Sequence, residues 1–213
     1  MFQDNLAYSA AAFCVGGYLF YMWCSDCAHY VSRGFDRRGA FPGARPAPAK
    51  FAFFAAVAAL VLLGIQMSGE SALGVVGEQT RVGVFAIFSW IAAAFIEELV
   101  FRGYLVIDGK GTARLVASAV FFSLIFALAH PFLWDYKIAE GASWLAGEWI
   151  WNFSVKSFYS TLCVFECSLL FYYLRFAPQN RDRSLLPCIA AHLAYNAGVF
   201  AAKAFQGFVE WTF

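Results

Sequence analysis

Six apolar stretches, each long enough to cross the ~30 Å hydrocarbon core of a bilayer, dominate this chain. They fall at about residues 6–24, 51–68, 82–107, 114–133, 149–176 and 185–206, leaving no room for a separate soluble domain. Only 14% of the residues are charged and 62% are hydrophobic, whereas a soluble domain carries about 25% charged residues. The expected fold is therefore an all-α, polytopic membrane helix bundle of about six transmembrane helices. The first stretch does not read as a cleaved leader, because Asp4 is the only charge before it and no basic segment precedes it. A formal net charge of +1 gives no sign of a nucleic-acid surface. The lipid bilayer is the partner that composition implies.

The charges that do occur are sorted by side. The first connection holds Arg33, Arg37, Arg38, Arg45 and Lys50; the third holds or adjoins Arg102, Lys110 and Arg114; the fifth holds Arg175, Arg181 and Arg183. The opposite side carries Arg81, Lys137 and Lys203 among Glu70, Glu78, Asp135, Glu140, Glu148 and Glu210, with Lys156 left over inside span five. Basic residues concentrate in cytoplasmic connections. This pattern places both termini outside and the odd-numbered connections in the cytoplasm. Gly39-Ala-Phe-Pro-Gly-Ala-Arg-Pro-Ala-Pro48 reads as an exposed connection between the first two spans. The six cysteines lie in or beside apolar spans, where thiols behave as small hydrophobes, so no disulfide framework is expected. Cys24-Ser-Asp-Cys27-Ala-His29 offers too few ligands at one membrane edge to read as a metal site.

Ionisable groups inside spans cost about 2.5–3.5 kcal/mol each on insertion scales and mark function by default. Span three carries Glu97, Glu98 and Arg102, span four His130, span five Lys156 and Glu166, and span six His192 and Asn196. Glu98 and Arg102 stand four apart and can pair on one helix face, which leaves Glu97 for other work. Taken alone, that pair reads equally as interhelical glue. His192 and Asn196 also share a face, and two donors aimed together suit a developing oxyanion; each can instead bond a neighbouring helix. His130, before Pro131, stands at a helix end. Counting 1.5 Å per residue from the span ends, the groups can meet at one level if span three continues to about Ile107.

A carboxylate and a histidine can hold and deprotonate water, while a second histidine and an asparagine stabilise a tetrahedral oxyanion. That set suffices for amide hydrolysis without a covalent nucleophile. The chain has no His-Glu-x-x-His, no Gly-x-Ser-x-Gly and no pair of intramembrane aspartates; all six aspartates are expected in loops or at span ends.

Glu97-Glu98-x-x-x-Arg102, Phe126-x-x-x-His130 and His192-x-x-x-Asn196, in order on three spans, resemble the three motifs of the CPBP family. That family includes type II CAAX prenyl endopeptidases and bacteriocin-processing membrane proteins. The resemblance implies a four-helix catalytic core within residues 82–213, with residues 1–81 supplying two further helices and a basic cytoplasmic loop. It implies that Glu97 and His130 activate water, that His192 and Asn196 form the oxyanion hole, and that Glu98 and Arg102 support the site. No cofactor is expected; the alternative is a divalent metal such as zinc on Glu97, Glu98, His130 and His192. The implied substrate is a membrane-anchored or lipidated polypeptide cut near its carboxyl terminus, either at a prenylated cysteine or ahead of a sorting tail. The compact chain favours tail processing in a bacterial inner membrane. The rival class is a membrane immunity factor, scaffold or transporter, although the repeats expected of a transporter are missing.

Overall fold

The computed structural model describes residues 6–139, 141 and 143–211; the readings placed on Asp4 and Glu140 lie outside them. Among the described residues the chain forms six α-helices: α1 (Leu6–Arg33), α2 (Ala49–Ala72), α3 (Ala86–Glu97), α4 (Thr112–Ala129), α5 (Val155–Phe176) and α6 (Leu186–Phe205). The architecture is an all-α membrane bundle. α2, α4 and α5 each have the length and apolarity to cross a membrane by themselves, and α6 is diluted by His192, Asn196 and Lys203. α1 packs on α3, α2 on α6, α4 on α5, and α3 and α5 meet α6 in the middle. Close approach uses small residues, as expected where lipid removes the hydrophobic drive between helices. A methyl group on Gly16 would come within 2.9 Å of the Ala92 side chain, so that crossing of α1 and α3 needs glycine.

Several expected boundaries move. Span four stops at Ala129 rather than 133, because His130 adopts an extended ψ of 129° ahead of Pro131. The chain then enters a hairpin, in which β2 (Trp134–Lys137) pairs antiparallel with β3 (Glu148–Trp151). Its aromatic residues give it the hydropathy of a span, yet they pack across the strands as tilted pairs, Trp134 on Trp149 at 5.2 Å and Tyr136 on Trp149 at 5.0 Å. Such rings suit the membrane–water interface. Span five therefore begins at Val155, capped by Ser154, and Lys156 sits in its first turn rather than inside the span. There it pairs with Glu70, in the last turn of α2. β1 (Val82–Gly83) pairs in parallel with β4 (Val209–Glu210), tying the second connection to the segment beyond α6.

α1 runs nine residues beyond its expected end, to Arg33, and carries Asp26 inside the helix. That aspartate is buried and accepts from Arg37 and from the Phe41 N–H at 2.8 Å. The connection over residues 39–48 is likewise not a plainly exposed loop. Ala44 is buried, the Gly43 carbonyl accepts the Leu185 N–H at 3.1 Å, and the Arg45 carbonyl accepts the Ser184 hydroxyl at 2.5 Å. The first, third and fifth connections thus converge at one end of the bundle, lining a common cavity. All six cysteines are free thiols.

Candidate active site

Span three does continue past Arg102, but not as an α-helix. α3 passes at Glu98 into seven residues of π-helix, Glu98–Tyr104, closed by the Leu105 N–H on the Val100 carbonyl at 2.8 Å. π-turns are rare and favour functional sites. Here Tyr172 of α5 stabilises it, its hydroxyl lying 2.7 and 2.8 Å from the carbonyls of Phe101 and Leu105.

Within this turn Glu98 and Arg102 are wholly buried, with Nη1 of Arg102 3.1 Å from Oε1 of Glu98. Nη2 of Arg102 donates to Ser168 at 2.7 Å, and Ser168 passes the chain on to Ser123 at 2.8 Å. Rings cover the guanidinium: Phe126 at 4.6 Å, Phe171 and Tyr172 at 5.1 Å. A desolvated cation gains from such faces, which explains how arginine is accommodated at this depth. Among the described residues, Oε2 of Glu98 and Nε of Arg102 find no hydrogen-bond partner.

His192, buried on α6, bridges the two glutamates. Its Nδ1 lies 2.8 Å from Oε1 of Glu98 and its Nε2 3.7 Å from Oε2 of Glu97, with the ring stacked on Phe171 at 4.9 Å. A carboxylate can only accept, so Nδ1 carries a proton toward Glu98. Nε2 then faces Glu97, whose side chain keeps 29% of its surface open. One carboxylate orients the imidazole and the other shares its free side.

The other two expected residues bond to backbone carbonyls elsewhere. His130 is half-buried, its Nδ1 2.8 Å from the Phe126 carbonyl. The Phe126 ring lies between the histidines, 4.7 Å from that of His130 and 6.4 Å from that of His192. Asn196 donates to the Trp90 carbonyl at 3.1 Å, which uses one of its two amide hydrogens. The structure thus joins Glu97, Glu98, Arg102 and His192 directly, reaches His130 through the Phe126 ring, and bonds Asn196 to Trp90 instead.

Oε1 of Glu98 is engaged by Arg102 and His192, and Glu97 and Nε2 of His192 face each other at 3.7 Å, whereas structural or catalytic zinc takes at least three protein ligands. Among the described residues no group of three or more His, Cys, Asp or Glu side chains gathers as a ligand set.

Sequence reasoning missed Ser123, Ser168 and the ring cage of Phe126, Phe171 and Tyr172. Hydroxyls and aromatics are ordinary in apolar helices, so only their position marks them. Glu166, unassigned from sequence, accepts from Gln66 at 2.9 Å. Gln66 also takes the Tyr195 hydroxyl at 2.6 Å, a second polar cluster between α2, α5 and α6.

A helical membrane bundle that buries a Glu–Arg pair, a bridging histidine and a partly open second glutamate has the parts of an intramembrane hydrolase. The family model of the type II CAAX prenyl endopeptidase Rce1-like proteins matches residues 79–198, more than half the chain and all three motifs. The chain belongs to that family, and membership implies protease activity in the membrane. No curated protein and no solved structure matched it.

Proposed function

We propose that the chain is an intramembrane endopeptidase that hydrolyses a peptide bond near the carboxyl terminus of a membrane-anchored or lipidated protein, by direct attack of water. The observation that carries this reading is the partly open Glu97 carboxylate 3.7 Å from Nε2 of His192. A water lodged there has its proton acceptor in place, and a positioned base of this kind contributes ~10²–10⁴ in rate. Glu97 and His130 take the water's proton and return it to the leaving amine. His130 spends its Nδ1 proton on the Phe126 carbonyl, which leaves Nε2 as an acceptor. His192, when its ring carries both protons, and Asn196 through its second amide hydrogen stabilise the oxyanion. Glu98 and Arg102 do not touch the reacting atoms; they fix the His192 ring.

The family's substrate class, prenylated CAAX proteins, supports the lipidated cysteine over a bare sorting tail. The catalytic core occupies residues 82–213, and residues 1–81 add two helices that pack upon it. The sidedness of the basic residues supports the basic end in the cytoplasm and both termini outside, and the compact chain favours a bacterial inner membrane. Mass spectrometry of membrane-protein carboxyl termini, in host cells carrying wild type or Glu97→Gln, tests the reading. Processed termini found only with wild type support it. Identical termini in both, with wild type folded, favour a scaffold or transporter instead.

A further inference from the structure

The register of the β2–β3 hairpin sorts its side chains by chemistry. Residues paired across two strands point to the same face, and neighbours along a strand point to opposite faces. Trp134 pairs with Trp151 and Tyr136 with Trp149, which gathers four aromatic rings on one face. Asp135 pairs with Ile150 and Lys137 with Glu148, which puts all three charges of the two strands on the other. The aromatic face is not covered by protein: Trp149 and Trp151 keep 59% and 61% of their surface open. Trp151 stacks on Phe153, and Phe153 on Phe158, so the aromatic surface continues onto the exposed side of α5.

Helix rise gives the level of this ribbon. Ser168 of α5 bonds Ser123 of α4 at 2.8 Å, so those two residues are level. From there His130, at the end of α4, stands ~10 Å away, and Val155, at the start of α5, ~20 Å away in the same direction. The 22 residues of α5 make a helix ~33 Å long, enough to cross the hydrocarbon, so its first turn lies at the membrane boundary. The Asn152 N–H, just ahead of that turn, bonds the Leu133 carbonyl at 2.9 Å, which sets the base of the hairpin at the same boundary. Open strand edges are excluded from hydrocarbon, whereas tryptophan and tyrosine favour the headgroup level.

The hairpin is also bonded to the end of α4. The last carbonyls of a helix have no partner within it. Here Nδ1 of His130 donates to Phe126 at 2.8 Å, the His130 N–H to Ala127 at 3.3 Å, and the indole N–H of Trp134 to Leu128 at 2.8 Å. Phe132 stacks on the His130 ring at 6.1 Å.

We propose that the β2–β3 hairpin lies flat in the lipid headgroup zone, aromatic face toward the acyl chains, and that through Trp134 it holds His130 at its level in the membrane. Trp134 is then a positioning residue, and the partner of the hairpin is the lipid surface at the end opposite the basic connections. The seat in lipid is independent of the protease reading; its value to catalysis rests on that reading.

The test uses the full chain in phosphatidylcholine nanodiscs, with plain or brominated acyl chains. The emission of Trp149 and Trp151 is the difference between wild type and the double variant Trp149→Phe, Trp151→Phe. That emission is expected to be lost in brominated lipid. Loss to iodide in the water, with none to brominated lipid, would place the hairpin in water and overturn the proposal. A second measurement follows the imidazoles in protein carrying isotope-labelled histidine, since the chain has three histidines and His130→Gln identifies the signals of His130. Trp134→Phe keeps a ring and removes the indole N–H. It is expected to shift the His130 signals, to leave those of His192 in place, and to lower kcat roughly fivefold at unchanged KM, the scale of one neutral hydrogen bond. His130 signals identical to wild type would overturn the link between hairpin and histidine. If wild type cuts no S-farnesyl peptide, the lipidated-substrate reading falls, while the emission and the imidazole signals still decide the proposal.

Discussion

Two polar clusters meet α6 at neighbouring positions, His192 in one and Tyr195 in the other, and they are built differently. On the face toward α3, Glu97, Glu98, Arg102 and His192 bring three formal charges to a wholly or largely buried place. Several of their polar atoms find no hydrogen-bond partner among the described residues, and one carboxylate stays partly open. On the face toward α2, Gln66 is fully used: its amide donates to the Cys163 carbonyl and Glu166, its Oε1 accepts Tyr195, and its backbone carbonyl accepts Tyr159. The first arrangement sets unpartnered buried atoms of Glu98 and Arg102 beside the partly open Glu97 carboxylate. The second is closed on itself and reads as adhesion between helices. A polar residue at membrane depth is therefore not by itself a site; what separates the two is unsatisfied charge beside an opening.

Substitutions sharpen that contrast, beginning with the strongest. Glu97→Gln removes the base and keeps the shape, so cleavage rate should fall ~10²–10⁴-fold with thermal unfolding unchanged. A cleavage rate within error of wild type would erase the distinction between the clusters. Arg102→Met leaves Glu98 buried without its counter-ion and should cost about 3–5 kcal/mol of stability, read as thermal unfolding in detergent. If the protein unfolds at the wild-type temperature, the Glu98–Arg102 pair is not structural support. Gln66→Leu should cost about 1–2 kcal/mol, since Tyr195 and Glu166 lose a partner, while the rate per folded molecule holds. A large loss of rate there would make the second cluster functional too.

The smallest effect lies outside the membrane. The Arg183 guanidinium, bonded to Asp108 across the basic end, holds that carboxyl below its ordinary range. A group whose folded value is depressed stabilises above its unfolded value of about 3.9 and loses that contribution as pH falls through the folded one. Both side chains are more than a third exposed, so solvent screening limits the pair to at most ~0.5 kcal/mol. Asp108→Asn should unfold slightly earlier at neutral pH, and its unfolding temperature should converge with wild type toward pH 3. Divergence in that range would assign the acid sensitivity elsewhere.

Much of this was legible in the sequence because charge inside an apolar run is costly and hence conspicuous. Glu97, Glu98, Arg102 and His192 were visible for that reason, as was their meeting at one level. The π-turn was not, because it depends on Tyr172, far along the chain, reaching two of its carbonyls. The hairpin of β2 and β3 was hidden by its tryptophans, which count toward hydropathy whether they lie in a span or at an interface. The buried state of Arg175 could not be read either. It sits beside exposed basic residues in the sequence, and only the fold of residues 39–45 over it takes it from water.

Glu97 is proposed to activate water in a cluster distinct from its neighbour around Gln66. The most direct measurement is the initial cleavage rate of one S-farnesyl peptide by wild type, Glu97→Gln and Gln66→Leu, each reconstituted in nanodiscs and scaled to folded protein. Glu97→Gln is predicted to be inactive, and Gln66→Leu to cut at the wild-type rate. Activity retained by Glu97→Gln would contradict the claim.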